Sequence, residues 1–152
     1  MRSLPSPTCI CVLVLHMMCG CRESQQELIA EKLQPVGGVV VSDKDLPNDG
    51  VVRVVLRGSR VSDVELQHLA GLEDLKYLYL DDSLVTDAGM KDISQLPAVQ
   101  LLSIRNTQIS DASVESISNM RSLLWLYVSD TKLSDRGIRT LRKALPNTMI
   151  VD

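Results

Sequence analysis

Four Ser/Thr-Asp pairs, Ser62-Asp63, Thr86-Asp87, Ser110-Asp111 and Ser134-Asp135, recur 24 residues apart. A hydroxyl beside a carboxylate can move protons or hold a cation, so chemistry is sought here first. The pattern does not lead to catalysis. A nucleophile needs a base to activate it, and of the two histidines His16 falls in an expected export segment and His68 stands alone. Cys9, Cys11, Cys19 and Cys21 all lie in the first 21 residues, with no companion ligands in the body for a zinc site or a disulfide framework. The stretch Asp43-Lys44-Asp45…Asp49 lacks the spacing and closing Glu of a calcium loop. Gly37-Gly38 is not followed by the Lys-Ser/Thr of a phosphate loop. No catalytic residue, cofactor or metal is expected, and the chain does not read as an enzyme.

Recognition is the chemistry that remains. Tyr77, Tyr79, Trp125 and Tyr127 are the only four aromatic residues in the chain. Tyr, Trp and Arg commonly anchor interfaces, because they bury much area at low entropic cost. Arg53, Arg57, Asp81 and Arg105 fall at related positions and would orient a partner. The arginines favour one of acidic or carboxylate character.

The elements that must position these residues follow from the period. Val54, Leu78, Leu102 and Leu126 share one column of the 24-residue spacing, and Leu56, Leu80, Ile104 and Val128 another. Val61, Val85, Ile109 and Leu133 form a third, Leu66, Met90, Val114 and Ile138 a fourth, and Leu69, Ile93, Ile117 and Leu141 a fifth. A fixed period in the twenties is the signature of stacked repeats. Alternation through Leu78 and Leu80 predicts a strand with one buried face. The spacing of Met90, Ile93 and Leu96 predicts a short helix after it. Ser62, Thr86, Ser110 and Ser134 stand where those helices need N-caps, with the following Asp near the positive end of the helix dipole. Strands stack about 4.8 Å apart while helices pack at about 8–10 Å, so such an array curves with its strands inside. Arg53, Tyr77, Leu101 and Trp125 then form one outward row on the concave sheet. Val55, Tyr79, Ser103 and Tyr127 form a second, and Arg57, Asp81, Arg105 and Ser129 a third.

Residues 23–34 predict a helix that stops before Pro35 and Gly37-Gly38. Val39-Val40-Val41 and residues 51–56 predict strands around a turn at Pro47-Asn48-Asp49-Gly50. Helix and hairpin together would cap the first repeat, which otherwise exposes an apolar edge.

The unit L-x-x-L-x-L-x-x-[ST]-x-[VIL]-[ST]-D, clearest from Leu75 to Asp87, resembles the leucine-rich repeat. Thr86-Asp87-Ala88-Gly89-Met90 and Ser134-Asp135-Arg136-Gly137-Ile138 are similar to the "T-D-A-G-L" of the ribonuclease-inhibitor-like subclass. Ser59, Ser83, Thr107 and Thr131 replace its usual Asn, and their hydroxyls can still bond nearby backbone. The resemblance covers residues 51–152 and implies an α/β fold: a short curved solenoid of about four repeats with a parallel sheet on the concave face. Residues 144–151 resemble a closing cap strand. Signal, cap and short array together are similar to small bacterial leucine-rich-repeat lipoproteins.

Arg2 is the single charged residue of 1–20, so the rest holds 15 basic and 19 acidic side chains, a balance of -4. A mildly acidic body argues against nucleic-acid binding, which needs a clustered cationic face. Ile10 to Met18 is an apolar run about half the length that spans a bilayer. It ends in Met18-Cys19-Gly20-Cys21, which resembles a lipoprotein signal with Cys21 as the lipidated residue. A plain secretory signal is the alternative. The expected organisation is a signal over 1–20, a cap over 21–50, and repeats with a terminal cap over 51–152. The expected function is non-catalytic protein binding in the bacterial envelope, held to the membrane by a lipid. A glycan-binding or self-associating envelope role is the other reading.

Overall fold

The computed structural model describes residues 25–43, 45, 50–58 and 60–152. The expected signal, Cys21, the start of the first helix, residues 47–49 of the predicted turn, and Ser59 lie outside these described residues.

Helix α1 spans Gln25–Leu33. The α-helix ends ahead of Pro35, as expected, and a separate 3-10 turn over Gln34–Val36 follows it. Pro35 sits in the first turn, where its missing N–H has no partner to lose. Gly37 (φ 76) then reverses the chain. β1 (Val39–Asp43) and β2 (Gly50–Val55) form an antiparallel pair whose register shifts between Val41 and Ser42.

From there strands alternate with short helices: α2 (Asp63–Leu66), β3 (Tyr77–Tyr79), α3 (Asp87–Ile93), β4 (Leu101–Ser103), α4 (Val114–Ser118), β5 (Trp125–Tyr127), α5 (Asp135–Ala144) and β6 (Met149–Val151). The six strands form one sheet in the order β1-β2-β3-β4-β5-β6, parallel from β2 onward. The fold is therefore α/β with a mostly parallel, open sheet. Its register keeps the sequence period, because Val54, Leu78, Leu102, Leu126 and Ile150 are successive neighbours across the strands.

Leu78, Leu102 and Leu126, the middle residues of their strands, are fully buried, while their flanking neighbours turn to the other face. Leu80, Ile104, Val85, Ile109, Met90, Ile93, Ile117 and Leu141 join them in one core. Each such side chain contributes about 1.5–3 kcal/mol by leaving water. Val114 and Leu133 are only partly buried against that core. The hydroxyls that replace Asn close the turns after the strands: Ser83 Oγ donates to Leu80 O at 2.6 Å, Thr107 Oγ1 to Ile104 O at 2.7 Å and Thr131 Oγ1 to Val128 O at 2.8 Å.

Candidate functional site

Two polar rows run across the molecule, one at the helix starts and one at the strand ends. On the helix side, the carboxylates reach into the next unit. Asp63 accepts from Thr86 N–H at 2.8 Å and Thr86 Oγ1–H at 2.7 Å. Asp87 accepts from Ser110 N–H at 2.8 Å and Ser110 Oγ–H at 2.6 Å, and from the Ser113 hydroxyl. Asp111 accepts from Ser134 N–H at 2.8 Å and Ser134 Oγ–H at 2.5 Å. The expectation that each Asp serves its own helix dipole is thus incomplete, since its main partners lie 23 residues on. The Ser/Thr hydroxyls also cap as expected, accepting from Ala88 N–H, Ala112 N–H and Gly137 N–H at 3.2, 3.3 and 3.1 Å. Ser62 has no preceding Asp. Its N–H and Oγ–H instead donate to Glu65 Oε2, at 2.7 and 2.8 Å.

This arrangement explains the glycines of the repeated motif. A Cβ on Gly89 would collide with the Asp63 carboxylate, and one on Gly137 with that of Asp111. Ser113 occupies the equivalent place and gives Asp87 a hydrogen bond. Burial pushes the Asp87 carboxyl up, but hydrogen bonds from Ser110 and Ser113 and the charge of Lys132 outweigh it, leaving its pKa below the ordinary value. Glu65 is likewise lowered: burial opposes, and hydrogen bonds from Ser62 prevail. Asp111 is lowered by its hydrogen bonds from Ser134.

The strand side carries the predicted recognition residues. Register places Arg53, Tyr77, Leu101 and Trp125 side by side, and Val55, Tyr79, Ser103 and Tyr127 side by side. Trp125 is 38% exposed, and the three tyrosines are half-buried. Arginines lie across the tyrosines. The guanidinium of Arg53 is 5.1 Å from the centre of the Tyr77 ring, that of Arg57 5.2 Å from Tyr79, and that of Arg105 4.4 Å from Tyr127. Such stacking holds a cation over the electron-rich ring face while its N–H edges stay free.

Ser103 keeps its register place in the second row, yet it and Asp81 are covered by their neighbours. Asp81 and Ser103 are 7% and 2% exposed. Asp81 pairs with Arg57 Nε at 3.0 Å and accepts from the Ser103 hydroxyl and from Arg105 N–H at 3.2 Å. A buried carboxylate persists only with partners of this kind. Asp81 therefore positions Arg57 and the Arg105 backbone and does not face a partner itself.

Some of the face was missed from sequence. Val41 and Met149 extend the first row at its two ends, and Val39 and Val151 extend the second. Met149 is 63% exposed. At the strand ends, Asp82, Asn106 and Asp130 adopt left-handed backbone, with φ of 59, 50 and 58. Gly58 shares this conformation one period earlier. Gly, Asp, Asn and Asp at a constant spacing are the residue types that tolerate positive φ, and that series was the available signal. With Arg57, Asp81 and Arg105, the last three residues line an open polar cleft of about 560 Å³.

Among the described residues, no group of three or more His, Cys, Asp or Glu is placed to hold a metal, and no helix is long and apolar enough to cross a membrane. No protein-family model matches the chain, and no curated protein matches it.

Proposed function

We propose that this chain is a short leucine-rich-repeat solenoid, exported and lipid-anchored at Cys21, that binds a protein partner through the outward strand face without turning over a substrate. The partner is a peptide segment carrying acidic and apolar side chains. The observation that carries this reading is the set of arginines stacked on tyrosines beside an exposed Trp125. Stacking lowers the entropy lost when a guanidinium meets a carboxylate, and Arg105 and Arg53 have no carboxylate partner among the described residues. Tyr77, Tyr79, Trp125 and Tyr127 supply the buried area. Arg53, Arg57 and Arg105 orient the partner, and Asp81 holds two of these elements in place.

The glycan reading has less support. One face of each tyrosine ring is already covered by a guanidinium, which leaves Trp125 as the open platform for a sugar ring. The test is partner capture by the full chain from its native envelope, repeated with Trp125→Ala. A loss of about 2 kcal/mol in affinity, roughly thirtyfold, is expected for a central anchor. Equal capture by both proteins would remove the assignment. Mass spectrometry of the mature N-terminus tests the anchor, since an unmodified terminus downstream of Cys21 is incompatible with it.

A further inference from the structure

The strand-end cleft shares Arg57, Asp81 and Arg105 with the peptide-binding face and adds Asp82, Asn106 and Asp130, which that face does not require. Four of its lining groups have partners within the cleft: Arg57 with Asp81, and Asp82 Oδ1 with Asn106 Nδ2 at 2.9 Å. Two do not. The Arg105 guanidinium has no carboxylate partner, and Asp130 has neither a hydrogen bond nor an ion pair to its side chain among the described residues. These opposite charges are near neighbours in sequence register. Ser103 pairs with Tyr127, so Arg105 leaves the end of β4 beside residues 129 and 130 at the end of β5. Adjacent strands lie about 4.8 Å apart, and long side chains easily close such a gap.

They stay unpaired because the cation is held elsewhere. The Arg105 guanidinium is laid back over Tyr127 at 4.4 Å. Its backbone N–H is fixed by the buried Asp81 carboxylate at 3.2 Å. Asp130 shares the left-handed backbone of Asp82, φ 58, but its carboxylate has no Asn across from it of the kind that Asp82 has in Asn106. A cation and an anion kept apart across an open cleft form a preorganised receptor for a molecule that carries both charges. A simple anion would meet repulsion from Asp82 and Asp130, and a simple cation from Arg57 and Arg105. A compact zwitterion satisfies both sides.

We propose that this cleft binds an α-amino acid or short free peptide with both termini ionised, its carboxylate on Arg105 and its ammonium on Asp130. The cleft volume, about 560 Å³, admits a ligand of that size with room for its side chains. This goes beyond the protein-binding face, and Tyr127 serves it as a positioning residue by holding Arg105 away from Asp130.

The test titrates the full chain with alanylalanine, its N-acetyl form and its C-terminal amide, following the Arg105 Nε–H and Asn106 side-chain amide signals by NMR. An open, solvated site predicts dissociation constants near the millimolar range for the free dipeptide, and about tenfold weaker binding when either terminus is capped. Arg105→Gln and Asp130→Asn should each remove the discrimination belonging to their own terminus. Tyr127→Leu should weaken binding with both charges retained, because Arg105 is then free to pair with Asp130, whereas Tyr127→Phe keeps the ring and retains binding. If the capped probes bind as tightly as the free dipeptide, or the free dipeptide moves no cleft signal, the proposal is overturned. The two proposals fail separately. A face that captures its partner while the cleft ignores the dipeptide leaves the proposed function standing, and the opposite result leaves the cleft assignment standing.

Discussion

The two polar rows differ in how completely their hydrogen bonds are met. On the helix side, Asp63, Asp87 and Asp111 each receive an N–H and a hydroxyl from the next unit, and small residues at positions 89, 113 and 137 make room for them. At the strand ends the residues recur with the same period, yet Arg105 and Asp130 line one cleft without an ion pair. Periodicity alone therefore does not separate polar residues that clasp one unit to the next from polar residues left unpaired. What separates them is whether the periodic partner is also present.

The difference can be broken from the helix side first. Asp87→Ala removes acceptors for three donors, two on Ser110 and one on Ser113, and should destabilise the fold by about 3 kcal/mol. Urea unfolding measures this, and a loss no larger than that of an exposed Asp would show that the row is dispensable. Gly89→Ala places a methyl against the Asp63 carboxylate and should cost about 1–3 kcal/mol in the same assay. Gly89→Ser should cost less than Gly89→Ala, because its hydroxyl can do for Asp63 what Ser113 does for Asp87. The opposite ranking would contradict the explanation given for the glycines.

Acid should act on the helix-side row as well. Glu65, Asp87 and Asp111 are all held below the ordinary carboxylate value. Between their folded and unfolded values the unfolded chain binds more protons, so stability rises with pH there. Their contribution is fully present above about pH 5 and is lost as pH falls through the folded values. A urea midpoint unchanged between about pH 6 and about pH 3 would refute this. The smallest effect belongs to the strand ends, where Asp130→Asn should change stability by less than about 0.5 kcal/mol while altering dipeptide binding. Comparable destabilisation by Asp130→Asn and Asp87→Ala would erase the distinction between the rows.

Much of this architecture could be read from the chain because burial imposes strict spacing on apolar residues. The columns through Leu78 and Leu80, the short helices after each Thr-Asp or Ser-Asp, and the placement of all four aromatics on strands follow from periods of two and three to four residues. Three features did not follow. The reach of Asp63 into Thr86 is a contact between units, and no local pattern specifies which way a carboxylate turns. Asp81 looked outward by alternation, but a salt bridge with Arg57 and a hydroxyl on Ser103 make its burial tolerable. The α-helix does stop before Pro35, but the 3-10 turn that carries Pro35 in its first turn was not legible, because propensity marks proline only as a breaker.

The carboxylate of Asp135, last in the helix-side series, has no hydrogen-bond partner among the described residues, although it occupies the position from which Asp111 grips Ser134. Because the junctions from Asp63 to Thr86, Asp87 to Ser110 and Asp111 to Ser134 are made by the same clasp, segments can be exchanged among them. Excising residues 88–111 would bring Asp87 up to Ser134, an acceptor facing the type of donor it already holds. Such a molecule can shorten or lengthen only in steps of 24 residues, since any other change would leave a clasp with nothing to close on.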